Sequence, residues 1–187
     1  LGDIEADEDD LNAADRAYDQ AVSLNPNFFY PLLRSGVVNE QQGRIAKAKR
    51  RLNRSLALLE TAQAYNALGA IAEREGKLQQ AEELYARAAQ DSGAAGQTAV
   101  TSLVSLRSKS NPAALVGLRW GIGVDGSLQI EATNKTPRTL AGINLQLRII
   151  DAQGNPRSHR QPLARLRPSQ VVPVSYTHLR AHETPIN

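Results

Sequence analysis

Along the first half of the chain, apolar and small residues return every three or four positions. This is the spacing that gives a helix one buried face. It predicts helices over Leu11–Leu24, Phe29–Gln42, Ile45–Leu59, Ala62–Glu75 and Leu78–Gln90, and residues 1–10 read as the end of an earlier one. Ala94–Leu106 carries Ala99, Leu103 and Leu106 on one face and reads as a helix that covers the last apolar surface of the series. After Ser108–Pro112 the period drops to two. Leu115–Ile122 and Leu128–Thr133 flank Asp125-Gly126, a hairpin signal. Ile143, Leu145, Leu147 and Ile149 alternate with Asn144, Gln146 and Arg148, the mark of a strand with one buried face. Lys135–Arg138 and Asp151–Pro156 read as turns, and Leu163–Leu166 and Gln170–Val172 as further strands. The expected fold is α+β and multidomain: an α-solenoid of helical hairpins over residues 1–108, a linker at 109–113 and a small, truncated antiparallel β domain over 114–173.

Within the helical half one pattern recurs. Gly36, Ala48, Leu52 and Ser55 are separated by steps of 12, 4 and 3, and so are Gly69, Ala81, Tyr85 and Ala88, 33 residues on. Gly2, Ala14, Tyr18 and Ala21 repeat the steps 34 residues earlier. Two helices cross closely only where their facing side chains are small, so each glycine is expected to face the following alanine across a tight contact. Leu52 and Tyr85 are then expected to fill the gap toward the next pair. Gly43 and Gly76 suit left-handed helix caps, and Pro26 suits the start of a new helix. Asp9 and Asp10 sit where carboxylates stabilise the N-terminus of the next helix.

These spacings resemble the tetratricopeptide repeat family. Leu68-Gly69, Ala81, Tyr85 and Ala88 match its pattern, as do Gly2, Ala14, Tyr18, Ala21 and Pro26. The middle copy departs from it at Ser35 and Glu60. The resemblance implies a groove that binds a protein or peptide through the first helix of each pair. Its inward positions would be Tyr30, Leu33, Arg34, Val37 and Gln41, then Gln63, Asn66, Ala67, Ala70 and Arg74. Tyr30 would offer a flat anchor, and Arg34, Asn66 and Arg74 would bond a peptide backbone or carboxylate. The fuller Lys/Asn/Arg clamp for a C-terminal carboxylate is missing.

The β half resembles small immunoglobulin-like β-sandwiches of the FxLYD type found on bacterial envelope proteins, through the run from Asn134 to Asn155. That resemblance implies a cell-envelope or periplasmic setting, with the cytoplasm as the alternative. A second, looser resemblance joins the stretches around Asn25–Gly36 and Leu52–Glu73 to the repeat arm of HtpX-like zinc metallopeptidases. It implies a substrate-presenting region of an enzyme whose HExxH helix lies upstream. Residues 174–187 resemble the translation of a transposase adapter used in shotgun DNA libraries and are expected to have no evolved function. The chain holds no methionine and is expected to be a fragment.

Charge divides unevenly. Residues 1–91 hold 11 Lys/Arg against 15 Asp/Glu, and residues 92–187 hold 11 against 4, so the basic balance comes from the second half. With no cysteine, disulfides and thiolate metal sites are excluded, and no cofactor is implied. No catalytic set emerges from the residues present. His178 and His182 fall in the terminal run, His159 reads as a solvated loop residue, and Gly121–Gly126 lacks the strand–loop–helix setting of a phosphate cradle. Asp7, Asp9 and Asp10 read as a solvated acidic turn.

Two basic clusters stand out. Arg44, Lys47, Lys49, Arg50, Arg51 and Arg54 lie on one predicted helix and read as a solvated outer face. The alternative is an anionic partner such as nucleic acid, disfavoured because no aromatic is there to stack bases. Arg157, Arg160, Arg165 and Arg167 read as charges that protect strand edges, with a lipid or glycan surface as the alternative.

Overall fold

The computed structural model describes residues 1–124, 127–150, 156–163 and 165–176. Five of the expected features lie outside those residues, wholly or in their side chains: the Asp125-Gly126 turn, the turn at 151–155, the Ile149 and Arg157 side chains, and His178 with His182. The chain divides into two compact units, Leu1–Leu106 and Arg107–Asn187.

The first unit is helical: α1 (Gly2–Asp7), α2 (Leu11–Leu24), α3 (Phe29–Gln41), α4 (Ile45–Leu58), α5 (Ala62–Arg74), α6 (Leu78–Ala88) and α7 (Ala94–Ser110), whose last turn runs past the boundary between the units. Their starts follow from local chemistry. The Asp10 carboxylate accepts from the Ala13 amide (2.9 Å) and the Thr61 hydroxyl from the Ala64 amide (3.3 Å), each satisfying a donor that the helix leaves free. Their ends follow as well. Gly43 and Gly76 adopt φ of 73° and 74°. The amides that follow them turn back, Arg44 to the Asn39 carbonyl (2.8 Å) and Lys77 to the Ala72 carbonyl (2.9 Å). A Cβ on Gly76 would meet nothing within 4 Å. Gly76→Ala therefore tests conformation alone and is expected to cost about 1 kcal/mol, read from the denaturation midpoint, because an L side chain disfavours the left-handed region.

The notches hold, with one correction. Ala14, Ala48 and Ala81 are fully buried, but what seats against each glycine is the larger residue four positions after the alanine. A Cβ on Gly2 would lie 2.7 Å from the Tyr18 ring, on Gly36 2.6 Å from Leu52 and on Gly69 2.7 Å from the Tyr85 ring. Tyr18, Leu52 and Tyr85 thus fill the notch inside their own pair and also pack toward the next helix, Tyr18 with Val38, Leu52 with Ala64, Leu68 and Ile71, and Tyr85 with Leu106. The reason is volume: an alanine cannot fill a glycine notch, whereas a tyrosine ring or a leucine side chain can.

Leu33, Ala48, Leu52, Ala64, Leu68 and Ile71 form one core cluster that joins α3 and α4 to α5. Ala72, Ala81, Tyr85 and Leu106 form the next, and Ala99 packs with Tyr65 and Ala88, so α7 covers the α5–α6 pair as its apolar face implied. Helix α7 continues to Ser110, through residues expected to be linker. Nothing between Leu106 and Ser110 breaks a helix; the stop comes at Asn111, because a residue before proline disfavours helical angles.

The second unit holds two antiparallel sheets among the described residues. Strands β1 (Val116–Ile122), β2 (Leu128–Asn134) and β5 (Val171–Tyr176) form one, in the order β1-β2-β5, and β3 (Asn144–Ile150) pairs with β4 (Pro156–Pro162) in the other. Leu145 is buried while Asn144, Gln146 and Arg148 are exposed, as the alternation requires.

Strand β4 was not anticipated, and its sequence shows why: PRSHRQP has no apolar alternation and becomes a strand only by pairing with β3. The expected strand at Leu163–Leu166 reduces to a single bridge between Leu166 and Leu140. Strand β5 extends through Val174, Ser175 and Tyr176, which pair with Ile130, Gln129 and Leu128. Asn134, 1% exposed, fastens the turn that follows β2. Its amide donates to the carbonyls of Arg138 (2.7 Å) and Leu166 (2.9 Å), and its carbonyl accepts from the Thr136 amide (2.8 Å) and hydroxyl (2.9 Å).

Candidate functional site

A cavity of about 480 Å³ opens in the helical unit, walled by three helices at regular spacings and by Tyr85 of α6. Helix α3 gives Leu33, Arg34, Val37 and Glu40; α5 gives Gln63, Asn66, Ala67 and Ala70; α7 gives Ala94, Ala95, Thr98 and Ser102. Positions three and four apart share a helix face, so each helix turns one face inward. Four alanines keep the walls low, and Leu33 and Val37 make one side apolar.

Of the residues expected to bind a partner, Arg34, Val37, Gln63, Asn66 and Ala70 come together here. Tyr30, Gln41 and Arg74 do not line the cavity. Tyr30 borders a separate hollow with Asp3 and Tyr18, and Gln41 is exposed at the end of α3. Arg74 pairs instead with Glu40, which does line the cavity. The contribution of α7 was missed. Its signal is present in Ala94, Ala95, Thr98 and Ser102, small residues at helical spacing, on a different face from the buried Ala99 and Leu106.

The charges around the cavity are answered from within the chain. The Asp3 carboxylate accepts from the Tyr18 hydroxyl (2.6 Å), the Tyr30 hydroxyl (2.9 Å) and the Arg34 guanidinium (2.9 Å). Led by the Tyr18 hydrogen bond, and against the opposing effect of burial, these partners hold the Asp3 carboxyl below its ordinary value. Burial and the hydrogen bond to Asp3 push the Tyr18 phenol up to about 12. Arg34 thus gives its Nε–H to Asp3 while it lines the cavity.

Asn66 is different. Its amide nitrogen donates to the Ala95 carbonyl (2.6 Å), tying α5 to the first turn of α7, while its buried Oδ1 has no hydrogen-bond partner among the described residues. A buried acceptor left open costs free energy until a donor reaches it.

The basic face of α4 is only partly solvated: Arg44, Arg50 and Arg54 are exposed, while Lys47, Lys49 and Arg51 are half-buried and paired. Lys47 bonds Asp15 (2.8 Å) and Asp19 (2.7 Å), Arg44 reaches Asp15 (3.3 Å) and Asn12 (2.8 Å), Arg51 pairs with Asp19, and Arg54 donates to the Pro26 carbonyl (3.0 Å). Lys49 pairs with Glu75. Of the 3-4-3 stripe, Arg44, Lys47 and Arg51 reach polar groups on α2, and Arg54 reaches the Pro26 carbonyl just beyond it. His159 also departs from expectation: it lies on strand β4 opposite Leu147, not in a loop. Among the described residues no three His, Cys, Asp or Glu gather to hold a metal, and no helix is long and apolar enough to cross a membrane.

An array of short helical pairs with glycine notches and a groove along the first helices is a helical-repeat architecture. The tetratricopeptide repeat family model matches residues 1–28, which span α1 and α2. The notches in the α3–α4 and α5–α6 pairs lie beyond the matched residues. Among solved structures, one titled "Crystal structure of MamA" is similar, with 25% identity, coverage of 59% of this chain and 64% of that one, and a TM-score of 0.49. The chain thus spans less than two thirds of the length of that protein. No curated protein matches the sequence.

Proposed function

We propose that the helical unit is an α-solenoid that serves as a protein–protein interaction scaffold, with a peptide or protein partner seated in the groove between α3, α5 and α7. The second unit, a β-sandwich in this reading, is an accessory domain. The observation that carries the reading is the groove itself. It combines an apolar wall, a floor of alanines and one buried acceptor, Asn66 Oδ1, with no donor of its own. A peptide laid in the groove sets its side chains against Val37 and the alanines, and its backbone N–H groups reach Asn66 Oδ1 once that amide turns toward the groove. The tetratricopeptide repeat match at residues 1–28 supports the same class of function.

The test fills the groove without touching the core. Ala70 is only partly buried, so Ala70→Arg is expected to leave the thermal transition in place and to weaken partner capture at least tenfold. Asn66→Ala is expected to weaken it less. Capture that is unchanged in Ala70→Arg removes the groove as the binding site.

A further inference from the structure

Strand β1 stands at the edge of its sheet, and among the described residues no strand pairs with its outer side. Its sequence alternates Val116, Leu118, Trp120 and Ile122 on one face with Gly117, Arg119 and Gly121 on the other. Leu118, Trp120 and Ile122 are 56%, 75% and 66% exposed, although their neighbours on β2, Ala132 and Ile130, are buried. Edge strands are ordinarily blunted by charge, proline or a bulge. Here the single charge is Arg119, and it stands opposite Glu131.

The direction of the free backbone groups can be read from the ends of the hairpin. The Lys135 amide bonds the Leu115 carbonyl (2.9 Å) and the Gly123 amide bonds the Ser127 carbonyl (2.8 Å). Odd-numbered residues of β1 therefore face β2, and Val116, Leu118, Trp120 and Ile122 turn their N–H and C=O groups outward.

We infer that β1 is a self-association edge: it pairs antiparallel with β1 of a second copy of this chain, Trp120 lying on the two-fold axis. The Trp120 register satisfies charge and hydrogen bonding together and pairs the three exposed apolar residues with one another. With the axis at Trp120, Leu118 meets the partner's Ile122 and Trp120 meets the partner's Trp120, each through outward-facing backbone groups, and Arg119 falls opposite the partner's Gly121. Shifting the axis to Arg119 sets two guanidinium groups against each other, which is destabilising. The favoured register joins the two three-stranded sheets into one of six. It also sets the apolar ridges of both copies side by side on one face, so that the two Trp120 rings shield each other laterally.

The chain carries one tryptophan, so the proposed interface holds its own probe. In the full chain, raising the concentration is expected to move the Trp120 emission to the blue as sedimentation equilibrium reports a rise from monomer to dimer mass. Leu118→Lys with Ile122→Lys changes only exposed positions and keeps the tryptophan. This variant is expected to remain monomeric with red emission at every concentration. Leu24→Lys, at an exposed apolar site in the helical unit, is expected to dimerise as the wild type does.

A monomer mass at the highest soluble concentration overturns the inference. Blue emission independent of concentration also overturns it, by showing the ridge covered within one chain. Dissociation by Leu24→Lys, or association that survives the double lysine variant, overturns it by placing the contact elsewhere.

Discussion

Gly69→Leu is expected to destabilise the helical unit by about 1–3 kcal/mol or more, because a side chain driven into a packed contact forces its neighbours off their rotamers. For a unit of this size that corresponds to a fall of roughly 5–15 °C in the midpoint of its thermal transition. The geometry leaves little room for relief. A Cβ alone would stand 2.7 Å from one Tyr85 ring carbon and 2.8 Å from the next. Tyr85 is 3% exposed, and its hydroxyl is tied to Glu73 at 3.1 Å. The ring cannot swing out without breaking that bond and opening the cluster it shares with Ala72, Ala81 and Leu106. A helical transition unmoved by Gly69→Leu would mean that α5 and α6 do not cross at this notch.

Asp15→Ala is the second large effect, about 3 kcal/mol of lost stability, because it leaves the fully buried Ser35 and Asn39 donors without their acceptor and also removes the partner of Lys47. Asp15 is 5% exposed and accepts from Ser35 (3.0 Å), Asn39 (2.7 Å), Lys47 (2.8 Å) and Arg44 (3.3 Å), so one carboxylate binds α2 to both α3 and α4. Burial alone would push this carboxyl up. The hydrogen bonds from Lys47, Asn39 and Ser35, with the Lys47 charge, outweigh it and hold the group below its ordinary 3.8.

A carboxyl depressed in the folded state binds its proton more readily when unfolded. Its stabilisation is therefore complete above pH 3.8 and is lost as the pH falls through the folded value. Asp3 titrates in the same sense, so the informative quantity is a difference. Between neutral pH and pH 3, Asp15→Asn is expected to lose less stability than the wild type. Parallel losses in urea denaturation across that range would remove Asp15 from the account.

The fold was legible where the cause is local. Helix α2 starts at an aspartate cap and stops before Asn25-Pro26, and Gly43 and Gly76 cap their helices for a reason contained in a few residues. The groove was half legible. Arg34, Val37, Gln63, Asn66 and Ala70 could be placed from the repeat phase, because helical spacing fixes which side chains share a face. Tyr30 and Arg34 read as ligand anchors, but Asp3 engages both, and nothing near either residue in sequence announces a partner some thirty positions earlier. The basic stripe on α4 misled for the same reason. Its 3-4-3 spacing was visible, while Asp15 and Asp19, which neutralise much of it, lie on another helix.

What the sequence settled by itself was periodicity and punctuation: a run of helical pairs repeating every 33 or 34 residues, then a change to strands. These rest on backbone geometry and near-neighbour chemistry, which a one-dimensional pattern can carry. Which ring fills which notch, which acid answers which base, that polar Pro156–Pro162 becomes a strand and that α7 supplies a wall of the groove were decided only by the tertiary structure. Each depends on volume and charge brought together from distant positions, and those meet only once the chain has folded.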